Sequence, residues 1–151
     1  RWMYEESLRT PLVVRWPKVI EPGSVNDEQI VSNLDFASTW LDIANAEIPK
    51  DIQGSSLVPI FKNDVPSDWR KTFYYHYYES GGHGVPIHYG VSDGTNKLIH
   101  FEDKNLDAWE FFDRSRDPLE LKSEYSNPEY ATKVKALESE IERWQRELGI
   151  Q

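Results

Sequence analysis

The sequence predicts an α+β fold, in which a four-stranded antiparallel sheet is packed by a long C-terminal helix and is preceded by one strand and one helix. Four short runs of aromatic and β-branched residues after residue 71, separated by Gly, Asn and Asp, predict the sheet. A single apolar stripe at helical spacing through residues 130–148 predicts the covering helix. An apolar run at 12–16 and a helical pattern from residue 35 predict the two earlier elements.

The first strand and the first helix are predicted from different patterns. Residues 12–16 form a nearly continuous apolar run closed by Pro17, as in a strand that is buried on both faces of a largely parallel sheet. Asp35 is a suitable N-cap for the helix that follows. The apolar face of this helix would consist of Phe36, Trp40, Ile43 and Ala44.

A long connection separates these two elements from the sheet. Proline, glycine and polar residues are frequent in residues 47–71, which predicts irregular structure with one short helical turn at 56–61. We therefore expect a domain boundary at the end of this stretch. It would divide the chain into residues 1–70, a strand and helix of a larger α/β domain with their connection, and residues 71–151, a smaller subdomain.

The sheet and the last helix carry clear local signals at their ends. The Asp93-Gly94 pair tolerates positive φ, so the second and third strands should form a hairpin. Asn127 can cap the last helix, Pro128 suits its first position, and Gly149 can end it. The predicted strands are 72–78, 88–91, 97–101 and 108–112; the helical stripe consists of Tyr130, Val134, Leu137, Ile141, Trp144 and Leu148; and the expected pairs on the wet face are Glu129 with Lys133 and Glu142 with Arg146.

Composition excludes several classes of function. The chain has 151 residues and a net charge of −9, which disfavours a nucleic-acid or anionic-membrane partner. No apolar run is long enough to span a membrane, and no signal peptide is recognisable. Cysteine is absent, so these residues contain neither a disulfide nor a cysteine nucleophile.

No catalytic group and no metal site is predicted within these residues. The candidates for binding are His83 and His88, because they flank a glycine-containing loop that projects from the sheet, where binding groups are commonly displayed. His76 and His100 lie inside predicted strands, which favours structural roles. The segment 4–9, Tyr-Glu-Glu-Ser-Leu-Arg, could supply catalytic carboxylates, bind an anion or form a structural ion pair, and the third interpretation is favoured.

Several stretches of the chain resemble type I sulfatases. The most characteristic is residues 4–17, and the resemblance extends in order over essentially the whole chain. The sequence departs from the family at Ser38, where proline is usual, at Lys18, where glycine often follows Pro17, and at Ala46, where the helix often ends in glycine. The further matching stretches are 33–39, 53–59, 97–99 and 113–120. Residues 74–79, 88–91 and 97–101 are most similar to bacterial sulfatases of glycans, including N-acetylglucosamine-6-sulfatases.

The resemblance implies an alkaline-phosphatase-like parent that binds calcium and uses a formylglycine made within a Cys/Ser-x-Pro-x-Arg motif. That motif is absent here, and the family's sulfate-contacting lysine would fall just ahead of Arg1. The resemblance therefore implies a catalytically incomplete C-terminal fragment that forms scaffold and one wall of a cleft for a sulfated glycan. It also implies export of the parent to the periplasm, cell surface or exterior.

Two other functions remain open at this stage. A related phosphodiesterase or phosphotransferase would use the same fold for a different ester. A non-catalytic carbohydrate-binding module would use the aromatic face of the sheet. If the chain is a fragment, apolar surface on residues 12–16 and on the first helix should be exposed and should promote self-association.

Overall fold

The computed structural model describes residues 1–79 and 82–150, and their contacts divide the chain into two compact units. The sheet unit comprises Arg1–Pro11 together with Thr72–Gln151, and the loop-rich unit comprises Leu12–Lys71. The predicted division of the longer protein at residue 70 stays a prediction. The helices are α1 (Glu5–Leu8), α2 (Asp35–Ile43), α3 (Val58–Phe61) and α4 (Ala131–Leu148); the strands are β1 (Phe73–Tyr77), β2 (His88–Ser92), β3 (Asn96–Asp103) and β4 (Leu106–Asp113); Gly82–Gly84 and Pro128–Tyr130 are 3₁₀ turns.

The predicted four-stranded antiparallel sheet is confirmed, with the strands in chain order β1-β2-β3-β4. The predicted hairpin joins β2 to β3. In its turn the Asp93 carboxylate accepts hydrogen bonds from the backbone N–H groups of Thr95 (2.9 Å) and Asn96 (2.6 Å), and Gly94 has a φ of 90°. The turn is therefore closed by the side chain that the sequence places there.

The predicted C-terminal helix is also confirmed, together with its end signals. The Asn127 side chain accepts a hydrogen bond from the backbone N–H of Glu129, and Gly149 ends α4 with a φ of 65°. The predicted pair of Glu129 with Lys133 is wrong. Glu129 pairs with Arg116 (3.2 Å), and Lys133 Nζ donates a hydrogen bond to Asn96 Oδ1 at the start of β3 (3.2 Å). The helical stripe and one face of the sheet form a core of Val91, Leu98, Phe111, Tyr130, Val134, Leu137 and Ile141.

The opposite face of the sheet is covered by the first residues of the chain. Met3 is fully buried there, in a cluster with Ile99, Phe101 and Phe112. It passes directly over Gly90: a Cβ atom at residue 90 would lie 2.7 Å from Met3 Sδ and 2.2 Å from the Leu98 carbonyl oxygen. Glycine is therefore required at residue 90, because any side chain there would clash with the backbone of β3 as well as with Met3.

The loop-rich unit differs from the sequence prediction in one element. The predicted strand at 12–16 is wrong: these residues are not in a strand, and Val13 is 91% exposed. A strand needs a neighbour to satisfy its backbone groups, and no strand is described in this unit. Lys18, where the family often has glycine, has a φ of 72°, a conformation that favours glycine.

The predicted helices of the loop-rich unit are confirmed as α2 and α3. The predicted N-cap role of Asp35 is wrong, because the cap position is Leu34 and no side chain caps the helix. The Asp35 carboxylate instead accepts hydrogen bonds from the backbone N–H groups of Ser32 (2.7 Å) and Ser55 (2.9 Å). Within this unit Trp40 of α2 is 67% exposed, as expected for apolar surface on this helix. Self-association through that surface stays a prediction.

Candidate functional site

The loop between β1 and β2 displays one of the two predicted binding residues. His83 lies between Gly82 and Gly84 in a 3₁₀ turn, is exposed, and has a φ of 64°. Its neighbour Gly84 also has a positive φ, of 68°. Gly81, which precedes this turn in the predicted loop, lies outside the described residues. The turn therefore holds His83 in a backbone conformation that is uncommon for a non-glycine residue.

His88 occupies a different environment, in the interior of the sheet unit. It is the first residue of β2, its side chain is fully buried, and its Nδ1 lies 2.8 Å from the Pro86 carbonyl oxygen. Burial lowers the pKa of His88 below its ordinary value, so the imidazole is neutral at pH 7. The rings around it are Trp2, Tyr75, Tyr77 and Phe101, at centroid distances of 5.4 to 5.9 Å.

The structure does not bring the two predicted binding residues together. Among the described residues no hydrogen bond or ring contact joins His83 to His88. His88 Nε2 is buried and lacks a hydrogen-bond partner within the described part of the chain. His83 thus faces solvent from the loop, whereas His88 supports the base of the same loop.

The other two histidines have structural partners on the helix-covered side of the sheet. His100 Nδ1 lies 2.8 Å from the Tyr89 hydroxyl, and its Nε2 lies 2.8 Å from Asp107 Oδ1. Its ring also stacks on Trp109 at 4.1 Å. His76 stacks on Tyr78 at 3.7 Å. These contacts agree with the structural roles that the sequence favoured. The partners of His100 lie on neighbouring strands, so they could be identified only once the strand register was known.

A group of four charged side chains, two of them buried and two partly buried, holds the start of α1 against the sheet. The Glu5 cluster consists of Glu5, Lys97, Arg114 and Glu120. Lys97 Nζ lies 2.8 Å from Glu5 Oε1 and 2.6 Å from Glu120 Oε1, and Arg114 Nη2 lies 2.7 Å from Glu5 Oε2. The backbone N–H of Glu5 donates to Glu120 Oε2 (2.8 Å). Glu5 therefore has the structural ion-pairing role favoured for residues 4–9, with cationic partners that lie outside that segment.

The partners of Glu5 carried no signal in the sequence. Lys97 is 92 residues away and Glu120 is 115 residues away. The Lys97 side chain is fully buried, whereas lysine is almost never buried without partners. Tyr4 adds one more tie, since its hydroxyl donates to Glu110 Oε2 (2.8 Å). Only knowledge of the β3–β4 register and of the path of residues 1–8 could have predicted this arrangement.

The described residues do not fit calcium or a formylglycine. No group of three or more His, Cys, Asp or Glu side chains among residues 1–79 and 82–150 could hold a metal ion. The sequence has no cysteine and no Ser-x-Pro-x-Arg motif, so no residue here matches the formylglycine precursor. No chemical step can be assigned to either group from this chain. Within the same residues, no helix has the length and apolar character that crossing a membrane requires.

Comparison with known proteins assigns a family to this α+β arrangement of sheet, helix and loop. The profile described as N-sulphoglucosamine sulphohydrolase, C-terminal, matches residues 1–147. The fold and the match define the C-terminal region of a sulfatase. The chain belongs to this sulfatase family, as the resemblance predicted.

Individual relatives point to glycan sulfatases. An N-acetylglucosamine-6-O-sulfatase of Bacteroides thetaiotaomicron is 46% identical over 150 residues, which cover 97% of the chain. A solved structure of a protein in complex with its substrate D-glucosamine-2-N,6-O-disulfate superposes with a TM-score of 0.86 and 44% identity over 97% of the chain. The chain spans only 26% of the first relative and 30% of the second.

A more distant structure shows that the fold is shared by enzymes of other esters. A phosphonate monoester hydrolase of Agrobacterium radiobacter superposes with a TM-score of 0.66 over 79% of the chain and 25% of its own length, at 18% identity. Similarity at that level shows the fold alone. The fold by itself therefore does not distinguish sulfate from phosphonate esters.

Proposed function

We propose that the chain is the C-terminal part of an exported sulfatase that hydrolyses sulfate esters of glycans, with 6-sulfated glucosamine as the substrate class. The observation that carries the proposal is the 46% identity, over 97% of the chain, to an N-acetylglucosamine-6-O-sulfatase. The chain contributes scaffold and one wall of the substrate cleft. It is not active alone, because its sequence holds no precursor of the nucleophile.

The contribution of these residues to the reaction is positional. In the longer protein, calcium and formylglycine would supply the nucleophile and the stabilisation of charge on the sulfate, and neither is held by this chain. The sheet unit instead provides a rigid base for the loop between β1 and β2. Rigid elements that carry a projecting loop are the usual way to present binding groups.

We assign the sugar contact of this loop to His83. Its imidazole is exposed and can exchange hydrogen bonds with sugar hydroxyls, which both donate and accept. His88 is proposed to support the loop that carries His83, since its buried ring stacks with Trp2 at a centroid distance of 5.9 Å. A direct contact of His88 with the sugar stays a prediction.

The proposed function predicts activity in the longer protein alone. The full reading frame that contains this chain, matured for formylglycine and supplied with calcium, should hydrolyse N-acetylglucosamine-6-sulfate and an aryl sulfate. The chain 1–151 should hydrolyse neither. Release of sulfate by the short chain would contradict the proposal, and so would a longer protein that cleaves a phosphonate monoester or phosphate diester in preference to both sulfates.

Replacing His83 with alanine in the longer protein should raise KM for N-acetylglucosamine-6-sulfate by about threefold to tenfold, the effect of one lost neutral hydrogen bond. The KM for a small aryl sulfate should not change, because such a substrate lacks the sugar hydroxyls. Steady-state kinetics on both substrates measure the difference. Lys104→Ala, an exposed residue in the turn between β3 and β4, is the matched control. Equal effects on both substrates would remove His83 from the sugar site.

A further inference from the structure

Within the Glu5 cluster, Glu120 makes two separate contacts that hold the first residues of the chain against the sheet unit. One carboxylate oxygen of Glu120 faces Lys97 Nζ at 2.6 Å, and the other accepts the backbone N–H of Glu5 at 2.8 Å. Glu120 thus holds both the side-chain partner and the main chain of Glu5. Its side chain is only 1% exposed, so neither contact is weakened by water.

The backbone of Glu120 adds an independent observation. Its φ is 54°, in the left-handed region where glycine is favoured and glutamate is uncommon. The residue closes a turn in which its N–H donates to the Asp117 carbonyl oxygen (3.2 Å). A turn with this conformation alone is better served by glycine. The glutamate at this position therefore indicates that its carboxylate is required there.

The segment held in this way contacts three of the four strands of the sheet. Met3 lies over Gly90 of β2, the Tyr4 hydroxyl binds Glu110 of β4, and Glu5 binds Lys97 of β3. The contacts at Met3 are apolar, whereas the charged and hydrogen-bonded contacts at Tyr4 and Glu5 are directional and add geometric specificity. The Glu5 cluster therefore fixes the end of this segment at Glu5, and the Tyr75 hydroxyl, which donates to the Arg1 carbonyl oxygen (2.9 Å), holds its beginning.

We propose that Glu120 is a positioning residue: through Lys97 and the Glu5 N–H it fixes the place at which the polypeptide preceding Arg1 meets the sheet unit. In the sulfatase described above, on which the kinetic part of this inference rests, that preceding polypeptide carries the reacting groups. Glu120 would then govern the rate of the reaction without touching the substrate. A displacement of about 1 Å of reacting groups can lower a rate as much as 100-fold.

Three variants of the longer protein separate this role from that of an ordinary turn. Glu120→Gln keeps an acceptor for the Glu5 N–H and removes the charge. Glu120→Gly relieves the left-handed backbone and removes both contacts, so a residue needed only for its turn would tolerate it or gain stability. Glu129→Gln removes an equivalent charge from an exposed pair with Arg116 and is the matched control.

The expected result is a loss of protection confined to the first residues, accompanied by a loss of rate. Hydrogen exchange of residues 1–11 should accelerate at least about tenfold in Glu120→Gly and less in Glu120→Gln, while α4 keeps its protection. The kcat for the glycan sulfate should fall by about tenfold or more, with KM changed less than about threefold. Glu129→Gln should leave both properties unchanged.

Two results would overturn the inference. Unchanged exchange of residues 1–11 in Glu120→Gly would show that the carboxylate does not hold this segment. If exchange of residues 1–11 accelerates in an active enzyme but kcat does not change, the contacts of Glu120 do not position the reacting groups. An inactive wild-type protein would instead refute the proposed function, and the exchange measurement would still decide whether Glu120 holds the segment.

Discussion

Replacing Lys97 with alanine is expected to lower the free energy of unfolding of the sheet unit by about 3–5 kcal/mol, the usual effect of breaking a buried ion pair. The side chain is fully buried between Glu5 and Glu120. Its removal leaves two carboxylates close together, with Arg114 as the remaining cation of the cluster. Urea unfolding, with hydrogen exchange of α4 to assign the transition to the sheet unit, measures the loss.

Two further variants identify the cause of this loss. Lys97→Met restores most of the lost volume without the charge, so it should remain about 2 kcal/mol or more below wild type if the unpaired carboxylates dominate. Lys122→Ala removes a lysine whose side chain is 80% exposed in its pair with Glu124, and should leave the stability nearly unchanged. Wild-type stability in Lys97→Met would mean that packing, not charge, explains the burial of Lys97.

The elements with local end signals were predictable from the sequence. The hairpin depends on Asp93 and Gly94, and the last helix depends on Asn127 and Gly149; in each case the signal lies within a few residues of the structure that it specifies. The apolar stripe of the last helix likewise predicted that this helix packs on the sheet. Local chemistry and hydrophobic periodicity are sufficient for this part of the fold.

The parts that could not be predicted depend on contacts between residues far apart in the chain. The apolar run at 12–16 has the composition of a buried strand, but the described chain offers it no partner, and a strand exists only through its neighbours. The placement of residues 1–5 on the sheet depends on Met3, Tyr4 and Glu5, whose partners lie on three different strands. The sequence assigned this segment to a larger domain.

The sequence predicted the loop that forms the candidate site, but it did not distinguish the exposed histidine from the buried one. Two histidines around a glycine-containing stretch indicated a displayed loop, and His83 is displayed. His88 is buried because it begins a strand whose alternate residues face the cluster of Met3. The face on which His88 lies depends on the register of β1 and β2, and the sequence of the loop between them does not determine that register.

In the loop-rich unit, replacing Asp35 with alanine is expected to lower the free energy of unfolding by about 3–5 kcal/mol. The Asp35 side chain is fully buried, and both of its oxygens pair with the Arg70 guanidinium, Nη1 at 3.0 Å. The same carboxylate accepts the backbone N–H groups of Ser32 and Ser55. One substitution therefore leaves a cation and two N–H groups without their acceptor. Hydrogen exchange of α2 and α3 under increasing urea measures the loss in this unit.

The double variant Asp35→Ala with Arg70→Met distinguishes the charge from the hydrogen bonds. If the unpaired Arg70 causes most of the loss, removal of both charges should recover about 1–3 kcal/mol, which a double-mutant cycle reports as coupling between the two residues. The two N–H groups would remain unsatisfied, so recovery should be incomplete. Asp51→Ala, in an exposed turn of the same unit, is the control and should change stability by less than about 0.5 kcal/mol. Additive losses in the double variant would show that Asp35 stabilises the unit through its hydrogen bonds to the backbone of Ser32 and Ser55. The charge of Arg70 would then contribute little, because its side chain is 15% exposed and its guanidinium can be solvated when Asp35 is absent.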